Sequence, residues 1–210
     1  GIFPFVDRSL VNGTAQDPDR IFSPEVLFAL SDSQRGELFE EYFDPSLAPN
    51  MVFRMETDLL EQTIYGGTGT GGNLDDYRCR SNWISSGSAR YFYKYSDMTE
   101  SGRIENTMIP LLRLGEMYLI AAESQSNSLA NGVSYINTLR KNRGVSNLQT
   151  LTTTLLQYEY IREVYGEGQL FFMYKRMHSS IIRSNSATNN PAPSNAVFVV
   201  PLPDTETENR

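Results

Sequence analysis

Apolar residues are densest in residues 108–126, MIPLLRLGEMYLIAAESQS, where Arg113, Glu116 and Glu123 are embedded among them. Pro110 suits a first helical turn, where its missing N–H costs nothing. Only Gly115 interrupts the remainder, at about 1 kcal/mol relative to alanine. Helical spacing places Arg113, Glu116, Ile120 and Glu123 on one stripe and Leu111, Leu114, Tyr118 and Ala121 on the next. The run therefore reads as one helix, buried on most sides. Its charges need partners, because removing one member of a buried pair costs roughly 3–5 kcal/mol.

Three further helices follow, over 132–141, 152–165 and 169–178. Ile136 and Leu139 face inward in the first, and Gly144 stops it. Thr150 or Thr152 caps the next, which carries Leu155, Leu156, Tyr158, Ile161 and Val164. Gly166-Glu167-Gly168 turns the chain into the last. Short connections make the helices antiparallel neighbours. The two hairpins are offset by about forty residues, the scale of a helical repeat. Leu114-Gly115-Glu116-Met117-Tyr118 fits the L-G-x-x-Y core of the tetratricopeptide pattern, with Leu111 in the usual Trp place; the second half of that pattern does not fit.

The N-terminal half is less regular. Asn12-Gly13 and Asp17-Pro18 mark turns within residues 1–20. Residues 21–30 begin extended, since Ser23 precedes a proline. A short helix over 32–43, capped by Asp32 or Ser33, turns Leu38, Phe39, Tyr42 and Phe43 inward and stops at Asp44-Pro45. Residues 51–65 fit strand or helix, with Leu59, Leu60 and Ile64 favouring helix in the second part. The glycine-rich 66–72 lacks the Lys-Ser/Thr of a phosphate loop and leads into Asp75 and Asp76, so it reads as a flexible surface loop. Residues 90–95 fit a strand with Tyr91, Tyr93 and Tyr95 on one face and Phe92 on the other. With Trp83 and Tyr77 these tyrosines form a candidate platform for a sugar ring, although core packing accounts for the same residues equally well. Residues 184–195 read as a polar loop, 197–203 as an extended strap broken by prolines, and 204–210 as a solvated acidic tail.

Composition narrows the function. The chain of 210 residues has 20% charged and 40% hydrophobic residues, with 12 Tyr and 11 Phe, which is globular and not disordered. A net charge of −7 without a Lys/Arg cluster argues against a nucleic-acid partner. Cys79 is the single cysteine, so no intramolecular disulfide forms. A single histidine, His178, argues against a histidine metal centre or a Ser-His-Asp triad; no metal or cofactor is expected. No uncharged apolar run reaches the roughly 18 residues that a membrane helix needs. The apolar entry at Gly1, without a signal peptide, reads as the interior of a longer protein.

Four landmarks in order resemble the SusD/RagB family of outer-membrane nutrient-binding lipoproteins. They are Pro110 to Glu116 with Tyr118 to Glu123; Ile136-Asn137 with Arg140, Arg143 and Gly144; Glu159 with Arg162-Glu163 and Gly166 to Gln169; and Val200-Pro201-Leu202-Pro203 with Glu206. Ile21 to Phe28 also resembles the segment before the variable middle of such proteins. Tyr160, Leu170 and Met173 depart from the family pattern, and the family's N-terminal half, with its lipidated cysteine, is missing. The resemblance implies a mainly α fold of tetratricopeptide-like helical hairpins with irregular loop-rich segments and a few short strands. Residues 1–107 would form the aromatic-rich, ligand-facing segment, and 108–210 the helical scaffold with its C-terminal strap. It implies a non-catalytic surface lipoprotein of the outer membrane that captures oligosaccharides or other nutrients and caps a SusC-like TonB-dependent transporter. Arg113, Glu116, Glu123, Arg140, Glu159, Arg162, Glu163 and Glu167 would then be a structural charge network. Two other readings stand beside this one. One is a helical-repeat interaction module without a small ligand. The other is a glycoside hydrolase using Glu116, Glu123, Glu159 or Glu163, which needs carboxyls about 5–5.5 Å or 6.5–9.5 Å apart across a sugar-sized cleft.

Overall fold

The apolar run of residues 108–126 divides between two elements. In the computed structural model, which describes residues 3–11, 17–100, 102–125, 128–179, 182 and 198–199, Met108–Arg113 is a strand and only Leu114–Glu123 is helical. The residue before a proline is biased to extended backbone, so Ile109-Pro110 resists the helix that its apolarity suggests. Pro110 sits in a ribbon of two strands, where its missing N–H does no harm. The strands are β1 (Val26–Ser31) and β4 (Met108–Arg113), paired antiparallel with Phe28 opposite Leu112 and Ala29 opposite Pro110. A second ribbon pairs β2 (Trp83–Ser86) with β3 (Ala89–Phe92).

The helices in chain order are α1 (Arg8–Val11), α2 (Arg35–Tyr42), α3 (Tyr77–Asn82), α4 (Leu114–Glu123), α5 (Leu129–Asn142), α6 (Thr153–Val164) and α7 (Leu170–Arg176). A π-turn covers Leu59–Ile64, which resolves the ambiguity of residues 51–65. The protein is thus mainly α with a few short strands. Thr152 caps α6 by accepting from the Leu155 N–H at 3.2 Å, and Gly144 (φ 74°) and Gly166 (φ 75°) end α5 and α6 in the left-handed conformation. α4 packs against both α5 and α6, and α7 returns onto α6. Leu119, Ile136, Leu139, Leu156, Ile161 and Val164 are buried at this junction. In α2, Phe39 faces inward, but Leu38 is exposed.

Two sequence expectations are corrected here. The glycine-rich stretch is packed, not a free surface loop: a Cβ on Gly66 would lie 1.8 Å from the Glu61 carbonyl oxygen and one on Gly72 2.5 Å from that of Tyr65. The strand after Ala89 ends at Phe92, because a turn closes from Ser96 N–H to the Tyr93 carbonyl at 3.0 Å. Tyr91, Tyr93 and Tyr95 therefore do not share a strand face. The turn at Asn12-Gly13, the polar loop, the strap over 197–203 (apart from Phe198 and Val199) and the acidic tail lie outside the described residues.

Candidate functional site

Glu163 and Glu159, one turn apart on α6, organise a buried charge network. Glu163 accepts from Arg113 Nη1 at 2.9 Å, Arg78 Nη1 at 3.1 Å, and Arg143 Nη2 and Nε at 2.8 and 3.2 Å. Glu159 accepts from Arg162 at 2.9 Å, Arg78 at 3.1 Å, and Arg140. Arg143 also grips Glu25 with two bonds of 2.7 and 2.6 Å, and Arg113 reaches Glu167 at 2.7 Å. Lys94 is paired with Glu167. Asp76 caps α3 and holds Arg78 at 2.9 and 2.6 Å. Burial alone would raise the carboxyl pKa values, but Arg162, Arg78 and Arg140 hold Glu159 down to about 2, and Arg143, Arg113 and Arg78 hold Glu163 well below its ordinary value. Burial and Arg113 push the Lys94 ammonium down to about 8.

The network thus includes Arg113, Arg140, Glu159, Arg162, Glu163 and Glu167. It also includes Glu25, Asp76, Arg78, Lys94 and Arg143, which helical spacing did not bring out. Glu25 gets there through a strained turn: Phe22, buried, takes φ 59°, a rare conformation for a bulky side chain, under the Arg143 guanidinium 4.6 Å from its ring. Glu116 and Glu123 lie outside the network. Glu123 pairs with Arg176 and accepts from the Tyr160 hydroxyl at 2.6 Å. Glu116 is half-buried, and burial raises its carboxyl pKa with a further push from Glu167.

The five residues of the expected sugar platform are dispersed. Trp83 is a core residue, 3% exposed, with its ring 5.0 Å from those of both Phe92 and Tyr165. The indole fills the space between the β2–β3 ribbon and the end of α6, so no ligand reaches its face. Tyr77 packs on the small cluster of Val6, Val11 and Phe22. Tyr93 sits edge-on to Phe39, and Tyr91 lies under Arg54. Tyr95 lines a cleft.

That cleft, of about 240 Å³, opens between α2, β4 and the Gly166 corner. Tyr42, Phe43 and Tyr95 supply its aromatic wall, Pro110 and Leu111 its apolar one, and Gly166 and Glu167 complete the lining. The Tyr95 hydroxyl donates to the Gly166 carbonyl at 3.1 Å, and Phe43 stands 6.2 Å from the Tyr95 ring. Arg35 backs the cleft, fixed by the Glu105 carbonyl at 2.6 Å and Asp97 at 3.1 Å, while its buried Nε has no partner. The exposed Phe53, 5.7 Å from Tyr42, continues the aromatic surface outward. A concave apolar site with a few convergent polar groups is the usual form of a small-ligand site. Sequence spacing could not find it, because Tyr42-Phe43, Tyr95 and Leu111 come from three separate segments.

Among the described residues there is no cluster of metal-ligating side chains, and no helix is long and apolar enough to cross a membrane. Cys79 is buried, which pushes its thiol up to about 12 and leaves it unreactive.

The scaffold is thus mainly helical and clasped by buried ion pairs, with an aromatic cleft at its edge. The chain belongs to the SusD family, whose model matches residues 35–201. Among solved structures it is similar to a laminarin-binding SusD-like protein at 14% identity and a TM-score of 0.49, over 80% of this chain and 48% of that one. The chain therefore spans about half the length of that structure. No curated protein matches it.

Proposed function

We propose that this protein is a non-catalytic glycan-capturing component of an outer-membrane uptake system. In this reading it is a surface lipoprotein that hands oligosaccharides to a SusC-like TonB-dependent transporter. Membership of the SusD family supports the class, and the cleft walled by Tyr42, Phe43 and Tyr95 is the observation that carries the ligand. Aromatic faces suit the C–H side of a sugar ring.

Three of the four carboxylates that the hydrolase reading would use argue the same way. Glu159 and Glu163 are fully buried and held ionised by arginines, so neither can protonate a glycosidic oxygen. Glu123 is tied to Arg176 and Tyr160.

One observation favours the second reading, an interaction module without a small ligand. Phe28 and Leu30 of β1 are exposed beside Leu112 of β4, an apolar strip suited to a protein partner. Isothermal titration of the folded protein with an oligosaccharide panel separates the two. Heat of binding that is lost in Tyr42→Ala supports glycan capture, and silence across the panel with folding intact favours the interaction module.

A further inference from the structure

On the other side of Leu111 lies a second pocket, of about 280 Å³, between α4 and α7. Leu111, 40% exposed, is a wall of both pockets. Their chemistry differs. The first is mainly aromatic and apolar; the second gathers Glu116, Gln169, Tyr160 and Arg176 over Met173, with Phe172 at its rim, 64% exposed. Such an exposed ring contributes nothing to the core, yet it stands beside four hydrogen-bonding side chains.

The charges here are almost settled before any ligand arrives. Arg176 donates to both oxygens of Glu123 at 2.8 Å, and the Tyr160 hydroxyl donates to the same carboxylate. Glu116 is bonded by Gln169, but its Oε2 is buried without a hydrogen-bond partner. Buried acceptors are rarely left unmatched. An anion would meet Glu116, and a cation would meet Arg176. A neutral ring bearing hydroxyls on its edge and C–H groups on its face suits both: a small rotation of the Glu116 carboxyl, which lines the pocket, offers its unmatched oxygen to a ligand hydroxyl, and the face lies on Phe172.

Because Leu111 lines both pockets, we propose that the second is a further subsite for the same glycan, taking a second sugar ring whose chain crosses over Leu111. The proposal rests on the reading of the aromatic cleft as the first subsite. It makes the preferred ligand an oligosaccharide of at least two rings, with Phe172 and Glu116 as binding residues for the second.

The test is calorimetric titration with glucose and with the maltose, laminaribiose and cellobiose series up to the tetrasaccharides, using wild type, Phe172→Ala and Glu116→Gln. Phe172 is exposed and Glu116→Gln preserves shape, so both variants should keep the wild-type melting temperature. The expected result is a gain in affinity of about tenfold from one ring to two or more, the scale of one added stacking and hydrogen-bonding contact. That gain should vanish in both variants while their binding of the single sugar is unchanged. If wild type and variants show the same gain, or none shows any, the second subsite is overturned and the aromatic cleft survives. If wild type binds no sugar at all, the aromatic-cleft reading falls, and this proposal with it.

Discussion

Gly115 stands where α4 passes directly over Glu163: a Cβ added to it would lie 2.2 Å from Glu163 Oε1 and 3.2 Å from Arg143 Nη2. The end of a glutamate would normally swing away, but this one is pinned by three arginines. Gly115→Ala should therefore cost about 2–3 kcal/mol, the overpacking range, despite alanine's better helix propensity. Gly69, with open space around its Cβ, is the control. Urea unfolding should show a large loss for Gly115→Ala and a change within about 0.5 kcal/mol for Gly69→Ala; equal effects would mean that α4 does not press on the network.

The acids of α4 and α6 should differ sharply. Glu163→Ala leaves Arg78, Arg113 and Arg143 without their shared partner in the interior and should cost about 3–5 kcal/mol. Glu123→Ala breaks a pair whose arginine is half-exposed and should cost about 1 kcal/mol or less. Arg113→Ala belongs with the first group and Glu116→Ala with the second. Melting temperatures of the four variants check this ordering.

Acid should unfold the protein through the same residues. Glu159 has its folded pKa at about 2 against an ordinary 4.5, and Glu163 is shifted the same way. Below pH 4.5 the unfolded chain takes up these protons before the native state does. Their contribution is therefore complete above about pH 5 and is lost as the pH falls towards 2, on the order of 3 kcal/mol from Glu159 alone. Glu116 and Asp19, whose values are raised by burial, work weakly in the opposite direction. Urea midpoints should fall steeply between about pH 5 and pH 2.5; a flat profile would show that these acids are solvated.

The glycine-rich segment should not tolerate shortening. Arg162 donates to the Thr70 carbonyl at 2.8 Å and to that of Ile64 at 2.8 Å, so the segment is fastened to α6. Deleting Gly69 and Thr70 removes one of these charged hydrogen bonds, worth about 1.5–3 kcal/mol. Thermal melts should fall by several degrees, where a free loop would show almost no change.

Much of the scaffold was legible because helices announce themselves locally. Thr152, Gly144 and the Gly166-Glu167-Gly168 corner bound α5, α6 and α7 within a few residues of the ends seen. The strand at residues 108–113 was misread because an apolar run suits either element, and its partner β1 lies some eighty residues earlier. Ile109-Pro110 was the one local sign of it. The charge network was half legible. Glu159, Arg162 and Glu163 share one helix, but Glu25 and Arg143 meet only through tertiary structure, across 118 residues. Trp83 misled for a simple reason: an aromatic beside tyrosines reads alike whether it faces water or the core, and Phe92 and Tyr165 decided it.

The most direct test of the account is calorimetric titration of an oligosaccharide panel into wild type, Tyr42→Ala and the ribbon variant Phe28→Ser. The cleft predicts binding by wild type and Phe28→Ser, and a loss of about tenfold or more in Tyr42→Ala, where an aromatic wall of the cleft is gone. Binding that Tyr42→Ala leaves intact, or no binding by a folded wild type, would contradict it.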